Sequence, residues 1–271
     1  MDLDGLFDTR ALADTRWSVD IRGEGRSASA YQRDGDLLLK TASIAKVFVL
    51  VELGAQIAAG VTDPRSELDR RSVARVADSG LWQHLATDRL PVADVARLVG
   101  SVSDNLATNV LIQLIGLWAI QARAARMASG GSTLHDIVRD TRTSDTPATL
   151  SEGCASDWAS ILQDLHRGAA EGEPVGASVL DWLSAGADLS MVASAFDLDP
   201  LSHASAADQG VRLWNKTGTD AGVRADVGVV ELEGTTWTYA VICNWNPDVL
   251  RPRSAVLSTM REIGSAIRRS L

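Results

Sequence analysis

The chain has 271 residues, 45% of them hydrophobic and 23% charged, with a formal net charge of −9. That length can bury a sizeable core in one large domain or two closely packed lobes. The acidic balance, with no basic run, excludes a nucleic-acid backbone or an anionic membrane surface as partner.

Residues 3–13 are expected to form a short helix. Trp17, Val19 and Ile21 alternate with polar residues, which predicts a strand with one buried face. Gly23 and Gly25 mark a turn, and Ser27 to Tyr31 reads as the returning strand. Asp34-Gly35-Asp36 is a further turn before Leu37 to Leu39. Ile44 to Ala59 is apolar nearly all round, a buried central helix interrupted by Lys46, Glu52 and Gln56. Pro91 to Gly100 and Asn105 to Arg126 also read as helices, and the apolar run Val110 to Ile120 is too short to span a bilayer. Trp82 would line a cleft entrance or pack in the core.

Gly130-Gly131 breaks the helical pattern, and residues 139–151 read as loop. Ser151 is expected to cap a helix through Trp158 and Leu165, with Glu152 in its first turn. Gly168 to Gly176 reads as a linker before a helix over Ala177 to Leu183. Strands return at Val211 to Lys216, Ala225 to Leu232 and Trp237 to Asn244. In the last of these Trp237, Tyr239, Val241 and Cys243 share a face. Val256, Met260, Ile263 and Ile267 follow at helical spacing. This order predicts an α+β fold: an antiparallel sheet flanked by helices and built from both chain ends (1–40 and 190–271), with an all-helical lobe (41–189) inserted between them.

Lysine occurs only at positions 40, 46 and 216, while arginine carries the remaining basic charge. A buried lysine can be neutral near pH 7 and accept a proton, which arginine cannot. Lys46 closes Ser43-Ile44-Ala45-Lys46, and Lys216 opens Lys216-Thr217-Gly218. Between them lies Ser103-Asp104-Asn105. On a helix, Ser43 and Lys46 are neighbours on one face, and the helix start favours a developing oxyanion. A neutral Lys46 would take the proton of Ser43 as it attacks a carbonyl. Ser103 would pass protons, Asn105 would hold the substrate amide and Lys46, and Asp104 would point away to hold the turn. Lys216 would add positive charge near a substrate carboxylate, and Gly218 would leave room for substrate along the strand edge. The N–H of Thr219 would join that of Ser43 in an oxyanion hole. Arg224 reads either as a second carboxylate ligand or as an ordinary strand-end arginine. Cys154 and Cys243 read as separate reduced thiols. His84, His135, His166 and His203 have no ligand spacing, so neither a metal nor another cofactor is expected.

These motifs resemble the class A β-lactamases and the penicillin-binding proteins. The likeness extends over residues 3–269. It includes the run Ser103-Asp104-Asn105-Leu106-Ala107-Thr108-Asn109, the His84-Leu85 turn, Asp145-Thr146-Pro147, Asp181-Trp182-Leu183 and the interval from Ser43 to Ser103. It implies that Ser43 is acylated, that Lys46 and Ser103 carry protons, and that Asn105, Lys216, Thr217 and Thr219 bind substrate. Class A enzymes also carry a loop Glu and Asn that hold the deacylating water. Here no Glu lies between Gly131 and Pro147. Asp140, then Asp136 and His135, are the candidates to replace it, or they are ordinary loop charges and caps.

The reading is a serine hydrolase acting on a β-lactam or another activated amide or ester. Its rivals are an esterase or amidase on a small metabolite, a penicillin-binding protein that traps the acyl group, and a non-catalytic binding protein. A monomer working on a small molecule, without nucleic acid or membrane, is expected. The address is cytoplasmic if Met1 is the natural start, and secreted or periplasmic if a signal peptide has been removed.

Overall fold

Alternating apolar residues at the two ends of the chain meet in one antiparallel sheet. In the computed structural model, which describes residues 1–23, 30–202, 210–249 and 252–271, β1 (Thr15–Gly23) pairs with β10 (Thr235–Trp245), so that Trp17 faces Cys243 and Ile21 faces Tyr239. With β2 (Tyr31–Arg33), β9 (Val223–Leu232) and β8 (Val211–Asp220), the order is β2-β1-β10-β9-β8. The expected turn at Gly25 and the start of the returning strand at Ser27 lie outside the described residues, as does His203.

The sheet is buried on both faces, where alternation at the first strand had suggested one. Val19, Ile21, Val230, Tyr239, Val241 and Cys243 pack with the last helix, α7 (Pro252–Arg268), and with Leu3, Phe7 and Leu12. Those N-terminal residues lie on and beside two single 3₁₀ turns, Asp4–Leu6 and Arg10–Leu12, rather than one short helix. On the other face Ala225, Val227, Val229, Ala240 and Ile242 join a larger core with α1 (Lys46–Ala58) and α5 (Ala155–Ala170). Even Ser18 is buried there, where its hydroxyl donates to Gly35 O at 3.1 Å and accepts from Ala155 N at 2.9 Å.

Helix α1 is central because its first nine residues are all buried. Phe48 stacks at 4.7 Å on Trp158 of α5, and Trp82 is fully buried in the same core. Around α1 stand α2 (Val92–Val102), α3 (Asn105–Ile115), α4 (Leu117–Met127) and α6 (Pro174–Leu183). The stretch from Asn105 to Arg126 is two helices, since Gly116 adopts φ +89° and the axis bends by 92°. Among the described residues no single helix is long and apolar enough to cross a membrane.

Short strands enter where the sequence suggested loop and helix. β3 (Leu39–Lys40), β6 (Thr133–Leu134) and β7 (Ser151–Gly153) form one ribbon, and β4 (Glu67–Asp69) with β5 (Arg89–Pro91) another. Ser151 and Glu152 therefore sit on a strand, not at a helix start, and Cys154 precedes α5 instead. The expected linker over 168–176 shrinks to residues 171–173. Cys154 and Cys243 are unbonded to each other and buried, and burial raises both thiol pKa values.

Candidate active site

Ser43 lies in a 3₁₀ turn, Ala42–Ala45, that runs straight into α1, so the helix starts three residues after the serine. The turn is entered through Ala42 in the left-handed region, φ 48°, a conformation that costs a non-glycine residue energy and persists only under support. Support comes from β7. Ser151 Oγ donates to Ala42 O at 2.7 Å and lies 2.8 Å from Thr41 Oγ1, while Thr41 N donates to Ser151 O at 3.2 Å.

Strand β8 presses on the turn from the other side. At Gly218 a Cβ would run into the Thr41 carbonyl oxygen and stand 3.1 Å from Ser43 N. The glycine is thus needed for backbone-to-backbone approach rather than for room along the strand edge. It brings Thr219 beside Ser43, and both border the same cleft.

Ser103 ends α2, again in the left-handed region at φ 55°, which turns its carbonyl toward α1. Asp104 behaves as the sequence suggested. Fully buried, it accepts from Leu81 N and Trp82 N at 2.8 Å each and from Ala107 N at 2.9 Å, which caps α3. Lys46 is fully buried beneath this loop. Its Nζ donates to Ser103 O at 2.6 Å and Asn105 Oδ1 at 2.7 Å, and lies 3.2 Å from Ser103 Oγ. Asn105 Nδ2 donates to Ala77 O at 3.1 Å, which fixes the amide with its oxygen toward the lysine. Burial, followed by the charge of Lys216, holds the Lys46 pKa well below its ordinary 10.5.

Lys216 is also buried, and its Nζ donates to Thr217 O at 2.9 Å. Burial lowers its pKa to about 8 against the opposing pull of Asp188 and Asp226. Behind it Asp226 is fully buried. It accepts from Asn215 Nδ2 and Ala193 N at 3.2 Å and from Tyr239 Oη at 3.3 Å. Burial raises its pKa to about 7. Asp188, absent from the sequence reading, accepts a 2.7 Å hydrogen bond from Thr217 Oγ1.

Two cavities of about 320 and 470 Å³ share Ser43, Ser79 and Thr219 as walls, and so form the halves of one cleft. The first half is bordered by Ser103, Lys216, Thr217 and Asp188, and the second by Asn105, Val138, Asp140 and Asp220. The three motifs therefore converge on Ser43. Arg224 does not border either half. Its guanidinium donates to Val223 O at 2.6 Å and Asp220 O at 3.1 Å, and lies 5.8 Å from the Trp245 ring.

Of the candidates to replace a loop glutamate, Asp140 reaches the cleft wall, where its Oδ1 accepts from Ala77 N at 2.8 Å. Asp136 is engaged by Arg139, Arg142 and Ile137 N; although burial opposes them, these bonds keep its pKa low. His135 faces Glu152 at 3.2 Å. Val138 borders the same half of the cleft as Asn105 and Asp140. Asn109 grips its backbone from both sides, donating to Val138 O at 2.9 Å and accepting from Val138 N at 2.8 Å. Its burial was legible only as apolarity; its place in the wall of the cavity that Ser43 also borders follows from Asn109, one helical turn beyond Asn105. Among the described residues no cluster of His, Cys, Asp and Glu is arranged to hold a metal ion.

A profile of the beta-lactamase enzyme family matches residues 14–271. No curated protein matches the chain in sequence. Among solved structures the chain is similar to a β-lactamase from Sphaerobacter thermophilus. They are 23% identical with a TM-score of 0.82, over 100% of this chain and 98% of that one. It is also similar to a mutant of PBP-A in acyl-enzyme complex with penicillin G, at 17% identity and a TM-score of 0.77, over 95% and 92% of the two chains. A variant of the ancestral class A β-lactamase of Gram-negative bacteria superposes with a TM-score of 0.78 at 18% identity, over 99% and 96%.

Two outcomes test this geometry. Gly218→Ala should lower unfolding free energy by roughly 1–3 kcal/mol, the cost of overpacking, in a denaturant titration. Asp226 has a folded pKa near 7, above the ordinary 3.8, so the native state holds the extra proton. Its contribution to stability is full below pH 3.8 and is lost as pH rises through about 7. Asp226→Asn should remove that decline, read as the wild-type-minus-variant difference in unfolding free energy across this pH range.

Proposed function

Because this chain belongs to the beta-lactamase enzyme family, we propose that it is a serine acyl hydrolase, acylated at Ser43 by a β-lactam or another activated amide or ester. One observation carries the reading: Lys46 Nζ is fully buried against Ser103 O, Asn105 Oδ1 and Ser103 Oγ, with no carboxylate among these partners. Two of its three partners, Ser103 O and Asn105 Oδ1, can only accept. A neutral amine satisfies both with its two N–H groups and keeps its lone pair for a hydroxyl. Its depressed pKa, caused by burial and Lys216, favours that neutral form.

The chemistry follows from a neutral Lys46. Ser43 Oγ attacks the substrate carbonyl carbon and its proton passes to Lys46. The N–H groups of Ser43 and Thr219 receive the oxyanion. Collapse of the tetrahedral adduct breaks the bond to the leaving atom, which takes the proton back from Lys46 through the Ser103 hydroxyl. The leaving group then occupies the half bordered by Ser103, and the acyl group the half bordered by Asn105 and Val138. Water finally cleaves the Ser43 ester.

That last step is the slow one in this reading. The wall facing the acyl half carries an aliphatic side chain at Val138, and one oxygen of Asp140 is already held by Ala77 N. Asp140 is the group in that wall best placed to orient a water, but it does so from an engaged carboxylate. The chain's likeness extends to a β-lactamase and to a penicillin-bound PBP-A variant alike, and an acyl-enzyme that hydrolyses slowly lies between the two behaviours.

Intact-mass spectrometry after mixing with p-nitrophenyl phenylacetate or benzylpenicillin should detect the corresponding acyl mass on Ser43, and none on Ser43→Ala. Full hydrolysis by Ser43→Ala would remove the mechanism. Val138→Glu should shorten the lifetime of the adduct by about a hundredfold or more, the scale of an added general base. An unchanged lifetime in a folded variant would show that this wall does not limit hydrolysis.

A further inference from the structure

We infer that Asp188 is a specificity-determining residue that turns the cleft against substrates carrying a carboxylate on their leaving side. The inference rests on the serine acyl-hydrolase reading above and names its substrate class: acyl donors whose leaving group is neutral or cationic, so that benzylpenicillin, with a carboxylate on the ring of its leaving nitrogen, acylates Ser43 but more slowly than a neutral donor.

The leaving-side half is where an anionic substrate would look for donors. Its cation is Lys216 and its hydroxyl is Thr217. Both are already answered from within the chain. Thr217 Oγ1 donates to Asp188 Oδ2 at 2.7 Å, and Lys216 Nζ donates to Thr217 O at 2.9 Å and is attracted by the charge of Asp188. Asp188 stands exposed at the cleft mouth, yet it is not free to swing aside. Its second oxygen accepts from Ser190 Oγ at 2.6 Å and Ser190 N at 3.1 Å. Both carboxylate oxygens are thus fixed, and one of them lies where a substrate carboxylate would meet Thr217.

The remaining charges do not reverse the balance. Asp226 lies behind Lys216 and attracts it too. Of the other cations of these strands, Arg224 donates to Val223 O and Asp220 O and Arg212 pairs with Glu231 at 2.6 Å, and neither borders the cleft. An incoming carboxylate would have to displace Asp188 from Thr217 or sit against it, and like charges in contact are costly in a partly desolvated site. A neutral leaving group meets no such opposition, since Ser79, Ser103, Asn215 and Thr219 offer it polar partners. A cationic one would gain the Asp188 charge.

Three phenylacetate esters of substituted phenols test this, one with a carboxylate on the leaving phenol, one with the methyl ester of that carboxylate, and one with a trimethylammonium group. Second-order rate constants for acylation of Ser43 are measured by intact mass and divided by each ester's rate with hydroxide. The wild type should prefer the neutral and cationic esters to the acid by about tenfold or more, equivalent to ~1.4 kcal/mol. Asp188→Asn, which keeps an acceptor for Thr217 but not the charge, and Asp188→Ala should each reduce that preference at least about fivefold. An acid acylating the wild type as fast as its methyl ester would overturn the inference, and so would an unchanged preference in folded variants. Absence of both a Ser43 adduct and Ser43-dependent phenol release with all three esters would instead remove the hydrolase reading, and this inference with it.

Discussion

A primary amine taken wholly out of water, Lys46 Nζ, is the constraint around which this molecule is organised. Removing a cation from solvent is costly, and the chain meets that cost by giving the amine carbonyl partners and favouring its neutral state. Those partners must be delivered from α2 and α3 to the buried end of α1. The delivery explains otherwise odd features. Ser103 accepts a left-handed backbone so that its carbonyl points inward, and Asp104 is buried without a cation because three backbone N–H groups bind it. Asn105 is fixed in one orientation by Ala77.

Two of the six described non-glycine residues with positive φ, Ala42 and Ser103, each neighbour or constitute a hydroxyl of the cleft. Strain placed there is held by the surrounding packing: the Thr41–Ser151 ties on one side and the Asp104 clamp on the other. Rigidity of this kind holds Ser43 and Thr219 side by side in the cleft. It also concentrates sensitivity to mutation in residues such as Ser151 that touch no substrate.

Much of this was legible in the sequence because the chemistry is written in short motifs. Ser43, Lys46, Ser103, Asn105, Lys216, Thr217 and Thr219 stand around one cleft, as their types and order suggested. The apolar run of α1 and the alternating strands near the C-terminus carried the fold equally plainly. What was hidden depends on partners distant in sequence. Ser151 looks like a helix cap by composition, but its hydroxyl is claimed by Ala42 across the fold. The second face of β1 reads as polar, yet α5 covers it and satisfies Ser18. Asp188 lies in a stretch with no periodicity, and only the fold brings it to Thr217. Val138 carries no signal of its own, since its position is set through backbone bonds to Asn109.

The tight seating of Gly218 against Thr41 and Ser43 has a consequence at the level of the whole particle. β8 is a margin of the five-stranded sheet, a place where unpaired peptide groups can template the strand of another molecule. The turn bearing Ser43 caps that margin around Gly218, while the opposite margin, β2, is only three residues long. The contact that builds the pocket thereby also covers part of an edge that would otherwise be open to another strand.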